Sequence, residues 1–461
     1  MGAMPLEHVR PDDLLPSAER RQAGHDLRRL VPRGQHADWQ PSVARRDPLR
    51  MLSESSRHCV SALLPIRYGR MQPSAFAFLR GSAAVMAADL ATTAQSGLIV
   101  QSCGDCHLAN FGVHAAVDGT AVFDISDFDE TLPAPFEWDL KRLATSFVVD
   151  ARGRGMAERA CRHLARTAVA AYRQHMALLM RLDPVSAWRS QIDVTEVLEG
   201  ISDSKLRQRE LKRLRLAVEA HQSGYRKLLE RRRSDWRIRL NPPLTAPLTG
   251  QHDDTHERVA RTAFEAYKLS QAEERGMLLD RYRLTDVAFK VVGIGSVGTF
   301  CAIGLFTNRD NAWLLLQMKE AQQSVLAQYT APSVYLNQGQ RVVTGQRIMQ
   351  AVPDIFLGWT QEYGHDQYCY VRQLKDARLA AINNELTGEM LHYHAALCGR
   401  TLARAHARGG DAARISGYIG SGATFDVAIA DFAMAYSRQV ESDWRLFAEA
   451  IKAGVIEARS E

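Results

Sequence analysis

The segment CGDCHLANFGVHAAVDGTAVFDISDFDETLPAPFEWDLKRL, at residues 103–143, is the most informative part of this sequence. It places Asp105 five residues before Asn110, then a predicted β-hairpin with the turn VDGT at 117–120, then Asp-Phe-Asp at 127–129. Phosphoryl transfer needs such groups: one carboxylate that orients a hydroxyl, and an amide and a second carboxylate that hold Mg²⁺ against nucleotide phosphates. Because a short hairpin brings the two ends of the segment together, we expect these groups to share one site.

The same segment resembles the catalytic core of the protein-kinase-like superfamily, in particular the aminoglycoside and choline phosphotransferases. The loop of that branch reads G-D-x-H-x-x-N, and this chain has GDCHLAN at 104–110. The branch continues with a Pro-containing loop and a helix that contains Asp-Leu. Pro133, Pro135 and the Asp-Leu pair at 139–140 lie in the corresponding places.

This resemblance implies a role for each polar residue of the segment. It makes Asp105 the catalytic base, Asn110 a magnesium ligand and Asp127 the principal magnesium ligand. Asp129 replaces the glycine of the protein-kinase D-F-G motif and is expected to assist the metal. Asp139 is expected to cap or orient the catalytic loop.

A glycine-rich stretch, VVGIGSVGTF, lies far downstream at 291–300, between two apolar runs typical of strands. Its glycines have G-x-G-x-x-G spacing, and a hairpin without side chains can approach phosphates closely. A lysine that ends the next predicted strand can then pair with phosphate oxygens. A strand, rather than the helix of a dinucleotide-binding motif, is predicted after the glycines, which favours the kinase interpretation. The predicted nucleotide-binding residues are Gly293, Gly295, Ser296, Gly298 and Lys319.

The order of these motifs is reversed relative to ordinary kinases, because the glycine-rich stretch follows the catalytic loop. We therefore predict an α+β, protein-kinase-like, two-lobed fold that is circularly permuted or has an inserted N-lobe, with a largely helical C-lobe. The predicted parts are an Arg-rich arm (1–60), a C-lobe-like part with the catalytic loop and a basic helix (61–285), an N-lobe-like sheet (286–378) and a C-terminal helical part (379–461).

The usual partner of the strand lysine is missing from the sequence. Kinases pair that lysine with a glutamate on the following helix, but residues 321–353 contain no acidic residue. Glu320 is adjacent to Lys319, so on a continued strand it points to the other face. Gln340, Gln346 or an inward-turned Glu320 remain as candidates, and nucleotidyl transfer from an inverted ATP stays open.

The whole chain also resembles a bacterial family catalogued as domain of unknown function 2252. The resemblance covers about residues 65–420, and the family supplies no settled substrate. The matching stretches are PIRYGRM, FAFLRG, GDCHLANFG, DFDET, WDLKRL, GIGSVGT, QMKEA, YVRQLKD and GYIG.

Ordinary structural explanations stand beside each of these interpretations. Cys103 and Cys106 precede His107 in a C-x-x-C-H pattern, which occurs in haem attachment and in metal half-sites, but they also suit buried thiols in a tight loop. Lys319 can be a simple strand-end charge. Arg80, in FLRG, is either a phosphate or substrate contact or a structural ion pair. His107 fits a residue that orders the loop better than a metal ligand.

Composition places the chain among globular proteins: of its 461 residues, 46% are hydrophobic and 24% are charged. The seven cysteines, an odd number, favour a reducing compartment, and no signal peptide or membrane span is apparent, so we expect a cytoplasmic protein. The net charge of +6 is too small to identify a nucleic-acid binder. A predicted basic helix at 205–239, with 13 Lys or Arg against 4 Asp or Glu, is either a solvated face or a site for an acidic or phosphate-rich partner.

Taken together, these features predict an ATP- and Mg²⁺-dependent phosphotransferase that acts on a hydroxyl acceptor. The resemblance to antibiotic and choline kinases favours a small-molecule acceptor over a protein. Two alternatives remain: a nucleotidyl (AMP) transferase of kinase-like fold, and a pseudokinase or scaffold that binds nucleotide without turnover.

Overall fold

The chain has a mixed α+β architecture in which helices predominate and the sheets are small and antiparallel. This confirms the predicted fold class at that level. The computed structural model describes residues 14–116, 118–232, 235–242, 245–248, 255–291, 297–360, 368–374 and 389–459.

The α-helices of the described residues are distributed along the whole chain. They are α1 (Ser17–Asp26), α2 (Pro48–Ser55), α3 (Leu64–Met71), α4 (Ala75–Gly81), α5 (Ala83–Leu90), α6 (Phe136–Gly153), α7 (Glu158–Leu179), α8 (Pro184–Arg189), α9 (Val194–Glu199), α10 (Ser204–Gly224), α11 (Thr255–Leu269), α12 (Glu273–Leu279), α13 (Gln338–Met349), α14 (Glu389–Gly409), α15 (Ala412–Ile419) and α16 (Thr424–Lys452).

The strands form one six-stranded sheet and three two-stranded ribbons. They are β1 (Ile99–Ser102), β2 (Phe111–Ala115), β3 (Ala121–Ile125), β4 (Leu132–Pro135), β5 (Leu229–Arg232), β6 (Asp235–Ile238), β7 (Thr245–Ala246), β8 (Arg283–Lys290), β9 (Cys301–Thr307), β10 (Trp313–Ala321), β11 (Gly358–Trp359) and β12 (Tyr368–Gln373). The large sheet has the order β11-β12-β10-β9-β8-β7, and the ribbons are β1-β4, β2-β3 and β5-β6.

Side-chain caps fix the starts of several helices. Asp47 accepts hydrogen bonds from the backbone amides at the start of α2, whose first residue is Pro48. Ser74 caps α4 and Asn337 caps α13 in the same way. These side chains satisfy amides that have no partner inside the helix, so each local sequence specifies where its helix begins.

Helix α6 is the centre of the helical part. Every residue at positions 136–149 is buried, and the helix packs against α7 and α16. Its apolar residues join those of α7 and α14 and of the β2-β3 hairpin in the largest hydrophobic core. The same helix carries Asp139 and Arg142, so these polar residues of the candidate site are held by a helix that is buried over most of its length.

The N-terminal segment packs against the C-terminal helices. Helix α1 crosses α15 so closely that a Cβ atom on Gly24 would lie 2.0 Å from the Arg414 carbonyl oxygen, and one on Gly417 would lie 2.0 Å from the Arg21 carbonyl oxygen. Arg20 forms an ion pair of 2.9 Å with Asp411. The described part of the Arg-rich arm is therefore anchored on the helical part.

Strands β8 to β12 of the large sheet occupy the region predicted as a sheet, 286–378, with β8 starting at Arg283, whereas β7 lies outside that region. β8, β9 and β10 form an antiparallel meander, β12 pairs with the other edge of β10, and α13 lies between β10 and β11 in sequence. The register sets Lys319 of β10 opposite Cys301 of β9 and Tyr370 of β12. The sheet thereby places Lys319 and Tyr370 side by side.

The predicted basic helix at 205–239 is wrong in its second half. Helix α10 ends at Gly224, and β5 and β6 then form a hairpin. Leu229 and Ile238 are buried against apolar residues of the large sheet, including Ile303. Burial of these side chains on the sheet outweighs the helical preference of the Lys- and Arg-rich sequence.

No helix among the described residues combines the length and apolar character that crossing a bilayer requires.

Candidate active site

The loop that carries Asp105 is positioned by the first turn of α6. The Asp139 carboxylate accepts hydrogen bonds from the backbone amides of Cys103, at 2.9 Å, and Gly104, at 3.1 Å. Gly104 has a φ of +79°, and a Cβ atom there would lie 2.3 Å from the Glu130 carbonyl oxygen, so only glycine fits. Asp139 thus has the loop-orienting position that the resemblance implies.

Asp105 is oriented by charged and aromatic neighbours at the edge of a cavity. The Nε atom of Arg142 donates to its carboxylate at 2.7 Å, and the His107 ring nitrogen lies 3.6 Å from the other carboxylate oxygen. Burial lowers the pKa of His107 to about 3 against the opposing effect of Asp105, so this histidine is neutral. The Asp105 side chain is 17% exposed, whereas that of Arg142 is 2% exposed, so the arginine fixes a carboxylate that still faces solvent.

Asn110 and Asp127 are brought together by the β2-β3 hairpin. The Asn110 side-chain amide donates to the Asp105 carbonyl oxygen at 2.8 Å. The Ser126 amide donates to the Asn110 carbonyl oxygen at 2.7 Å, so Asp127 directly follows a residue bonded to Asn110. The predicted turn at 117–120 closes between Ala116 and Thr120, although Val117 lies outside the described residues.

Asp129 joins the segment at residues 103–143 to the large sheet. Its carboxylate forms an ion pair with the Lys319 ammonium at 2.5 Å and accepts a hydrogen bond from the Tyr370 hydroxyl at 2.5 Å. Burial acts to lower the pKa of Lys319, but Asp129 and Tyr370 raise it above its ordinary value, so the lysine is charged. Asp129 is therefore the carboxylate partner of Lys319, for which the sequence offered no glutamate on the following helix.

The other candidates for that role have different contacts. Glu320 accepts a hydrogen bond from the Phe300 amide at 3.0 Å, and Gln346 donates to Gln350 at 2.8 Å. Helix α13 instead contributes Arg341, whose guanidinium donates to the carbonyl oxygens of Asp129 and Thr131. The helix after the strand lysine thus holds the backbone of the Asp-Phe-Asp segment.

Residues 57–450 match the profile of a bacterial protein family described as an uncharacterized protein conserved in bacteria (DUF2252). The match covers most of the chain. The chain belongs to this family. No curated protein and no solved structure matches it. Since the family description names no activity, the function of this DUF2252 protein has to be argued from its side chains.

The glycine-rich stretch of this DUF2252 protein is described only in part. Gly293, Gly295 and Ser296 lie outside the described residues. Gly298 has a φ of +105°, and its carbonyl oxygen accepts a hydrogen bond of 2.6 Å from the Val60 amide. The flanking strands β8 and β9 pair as an antiparallel hairpin, as the sequence predicted.

The two cysteines beside Asp105 form a compact buried group with Asp139. The two Sγ atoms and one carboxylate oxygen lie within 4.8 Å of one another. Burial raises the pKa of Cys106 to about 11 and also raises that of Cys103 well above its ordinary value, so both thiols are protonated at neutral pH. The Asp139 oxygens already accept hydrogen bonds from Cys103, Gly104 and the ring of His406. This arrangement favours a structural role over a metal or haem site.

A cavity of about 370 Å³ opens in front of Asp105 and Asp129. Arg67 and Arg80 lie in its wall. Asp105 and Asp127 are close enough to Arg80 to raise its pKa, although burial, the larger effect, lowers it. Arg80 therefore belongs to the same site as the predicted catalytic aspartates.

Several residues of this site were missed by the sequence reasoning. Arg142 was detectable, because it lies three residues after Asp139 and so faces the same way on α6. Tyr370 and Arg341 gave no comparable signal, since their positions follow from strand pairing and from helix packing across distant parts of the chain. Arg67 lies in PIRYGRM, a stretch noted for its family resemblance alone.

Proposed function

We propose that this protein is an ATP- and Mg²⁺-dependent phosphotransferase that acts on a hydroxyl acceptor. The observation that carries the proposal is the Lys319–Asp129 ion pair. It places a charged strand lysine beside the segment that holds Asp127, next to a loop that presents Asp105 and Asn110. Arranging these groups around one cleft is the main requirement of phosphoryl transfer, whose catalysis is mostly positioning and electrostatic stabilisation.

The fold proposed with this function is a permuted protein-kinase-like fold. The antiparallel sheet β8-β9-β10-β12 would serve as the N-lobe, and the helices around α6 as the C-lobe. In support, the sheet supplies the lysine and the helical part supplies the aspartates, although the chain order is reversed. We also propose a small-molecule acceptor and a cytoplasmic location.

The donor set fits a magnesium ion. The Asn110 amide oxygen and the Asp127 carboxylate are hard oxygen ligands, which Mg²⁺ prefers, and Asn110 is held by its bond to the Asp105 carbonyl. When bound, the ion would neutralise charge on the nucleotide phosphates. Asp105, fixed by Arg142, would orient the acceptor hydroxyl and receive its proton.

Nucleotidyl transfer is the second candidate, and one observation favours it. Arg67 and Arg80 line the cavity beyond Asp105, where they could hold the terminal phosphates of a nucleotide bound in the opposite direction. The mass of the modified acceptor separates the two reactions, because a phosphoryl group and an adenylyl group add different increments.

The test is the melting temperature with and without ATP, each with and without Mg²⁺. A ligand at about 100 times its Kd adds roughly 2.7 kcal/mol to the free energy of unfolding, which corresponds to a rise of several degrees. Asp127→Ala should abolish the Mg²⁺-dependent rise. Asp118→Ala, at the exposed hairpin turn, is the matched control and should keep it. No rise in the wild type with any nucleotide would contradict the proposal.

A further inference from the structure

The cavity in front of Asp105 contains carboxylates that are all satisfied by partners within the protein. Each has a cation or a backbone amide within hydrogen-bonding distance. These partners are Arg46 for Glu54, Arg142 for Asp105, Lys319 for Asp129, the Val325 amide for Glu130 and the Phe300 amide for Glu320.

The arginines in the inner wall of the same cavity are not satisfied in this way. Arg67 is 8% exposed, and its Nε atom is buried without a hydrogen-bond partner. Its other nitrogens make only long contacts, 3.3 Å to the Gly81 carbonyl oxygen and 3.5 Å to the Cys59 sulfur. Among the described residues, no carboxylate lies within ion-pair distance of Arg67.

Arg80, on the next helix, also has a guanidinium nitrogen without a hydrogen-bond partner. Its Nε atom is also buried without a partner, and no described carboxylate forms an ion pair with it. Arg67 is on α3 and Arg80 is on α4, and the hydrogen bond from Arg67 to Gly81 holds the two helices together at this corner. Two guanidinium groups thus enter one cavity close to Asp105.

A buried charge without a directly bonded counter-charge is costly, and Asp105 and Asp127 act on Arg80 without forming an ion pair with it, so this arrangement indicates a ligand. An unpaired buried cation is strongly unfavourable unless an anion compensates it. Guanidinium groups bind phosphate and carboxylate groups through paired hydrogen bonds, which matches two arginines in one wall. Arg152 shows the usual alternative, since it pairs with Glu158 at 2.7 Å.

We infer that the cavity binds an anionic acceptor, an alcohol that carries a phosphate or carboxylate group held by Arg67 and Arg80. This inference rests on the proposed function, because the phosphotransferase reaction is what places the hydroxyl of the acceptor beside Asp105. The anionic group would contact Arg67 and Arg80, and the hydroxyl would contact Asp105, in the one cavity that all three residues line. The same anion site could serve the terminal phosphates of an inverted nucleotide, and the experiment separates these sources.

The experiment measures binding of inorganic phosphate to the full chain by calorimetric titration, with and without saturating Mg²⁺ and ATP. Arg67→Gln and Arg80→Gln should each weaken phosphate binding about 10- to 100-fold, as expected for the loss of one charged hydrogen-bond partner. Arg67→Lys keeps the charge without the paired geometry and should weaken it less. Arg50→Gln is the control: this arginine is 78% exposed and pairs with Glu54, and its loss should leave binding unchanged.

The outcomes distinguish the inference from the proposed function. Phosphate binding that survives saturating ATP and the Asp127→Ala change supports an anionic acceptor. Phosphate that competes with ATP overturns the acceptor assignment and places the nucleotide's own phosphates on the arginines. Phosphate that fails to bind the wild type, or binds Arg67→Gln equally well, overturns the site itself. If phosphate binds and ATP does not, the proposed function fails while the anion site stands.

Discussion

Two aspartate–arginine pairs in this chain have similar chemistry but opposite surroundings. Asp124 pairs with Arg404 at 2.5 Å, and their side chains are 3% and 1% exposed. Asp105 is bonded to Arg142 at 2.7 Å, yet its side chain is 17% exposed and lines the cavity. The sealed pair, Asp124–Arg404, can only hold distant segments together, whereas the open pair, Asp105–Arg142, presents an oriented carboxylate to a ligand. Both aspartates are paired with an arginine, so it is exposure to the cavity that distinguishes a carboxylate able to react from one that only stabilises the fold.

The largest effect is expected at the open pair. Asp105→Asn should lower the rate of ADP formation from ATP by about 10²- to 10⁴-fold, because the acceptor loses the group that takes its proton. The asparagine oxygen can still accept from Arg142, so the free energy of unfolding should fall by only about 1 kcal/mol. Turnover and thermal unfolding of the same variant measure both quantities.

A matched control for this change is available on helix α6. Asp150 pairs with Arg154 at 2.7 Å and takes no part in the cavity. Asp150→Asn should keep full turnover. A variant at Asp105 that keeps wild-type turnover would assign this carboxylate to structure rather than to catalysis. Nucleotide binding without any turnover in the wild type would favour the non-catalytic alternative.

The sealed pair should show the reverse pattern, with a large loss of stability. Arg404→Met leaves the Asp124 carboxylate buried without its cation, which should lower the free energy of unfolding by about 3–5 kcal/mol. The double variant Asp124→Asn, Arg404→Met removes that charge and should be more stable than the single one. Chemical denaturation measures both. If the two changes are simply additive, the pair is not coupled and the contrast with Asp105 fails.

The two regions also differ in how much their sequences reveal. The β2-β3 hairpin, helix α6 and strands β8 to β12 of the large sheet follow from local patterns, namely apolar periodicity and turn signals. The grouping of Asp105 with Asn110 follows from a five-residue spacing within one loop. These features are local, so a single sequence contains the information for them.

What the sequence did not reveal depends on contacts between distant segments. Asp129 pairs with Lys319 across 190 positions, and Arg404 with Asp124 across 280, so no local pattern identifies either partner. The hairpin after Gly224 was predicted as helix because its Lys and Arg residues favour helices, while its burial against the sheet is a tertiary effect. The unpaired state of Arg67 is likewise a property of its surroundings.

A third carboxylate, Glu130, completes the comparison because it lies in the cavity without an ion-pair partner among the described residues. Burial raises the pKa of Glu130 to about 7, with Asp105 and Asp129 acting in the same direction and the Val325 amide and Arg341 against it. The folded state therefore favours protonated Glu130. The contribution of this residue to the free energy of unfolding is complete below the pKa that it has in the unfolded chain, and it is lost as the pH rises through 7. From about pH 5 to pH 8, the wild type should lose about 1–3 kcal/mol relative to Glu130→Gln, whose amide stays neutral.

Melting temperatures of both proteins between pH 4 and pH 8 measure this effect. The two curves should meet at the acid end and separate as the pH rises, with the variant the more stable. Glu158→Gln is the control, because Arg152 lowers the pKa of that 59% exposed glutamate, so its effect on stability stays constant above the ordinary glutamate pKa. Curves that stay parallel across the whole range would mean that Glu130 is ionised in the folded protein. Its carboxylate would then add a full negative charge to the cavity. Arg67 and Arg80, which line the same cavity, would already have a counter-charge from the protein itself.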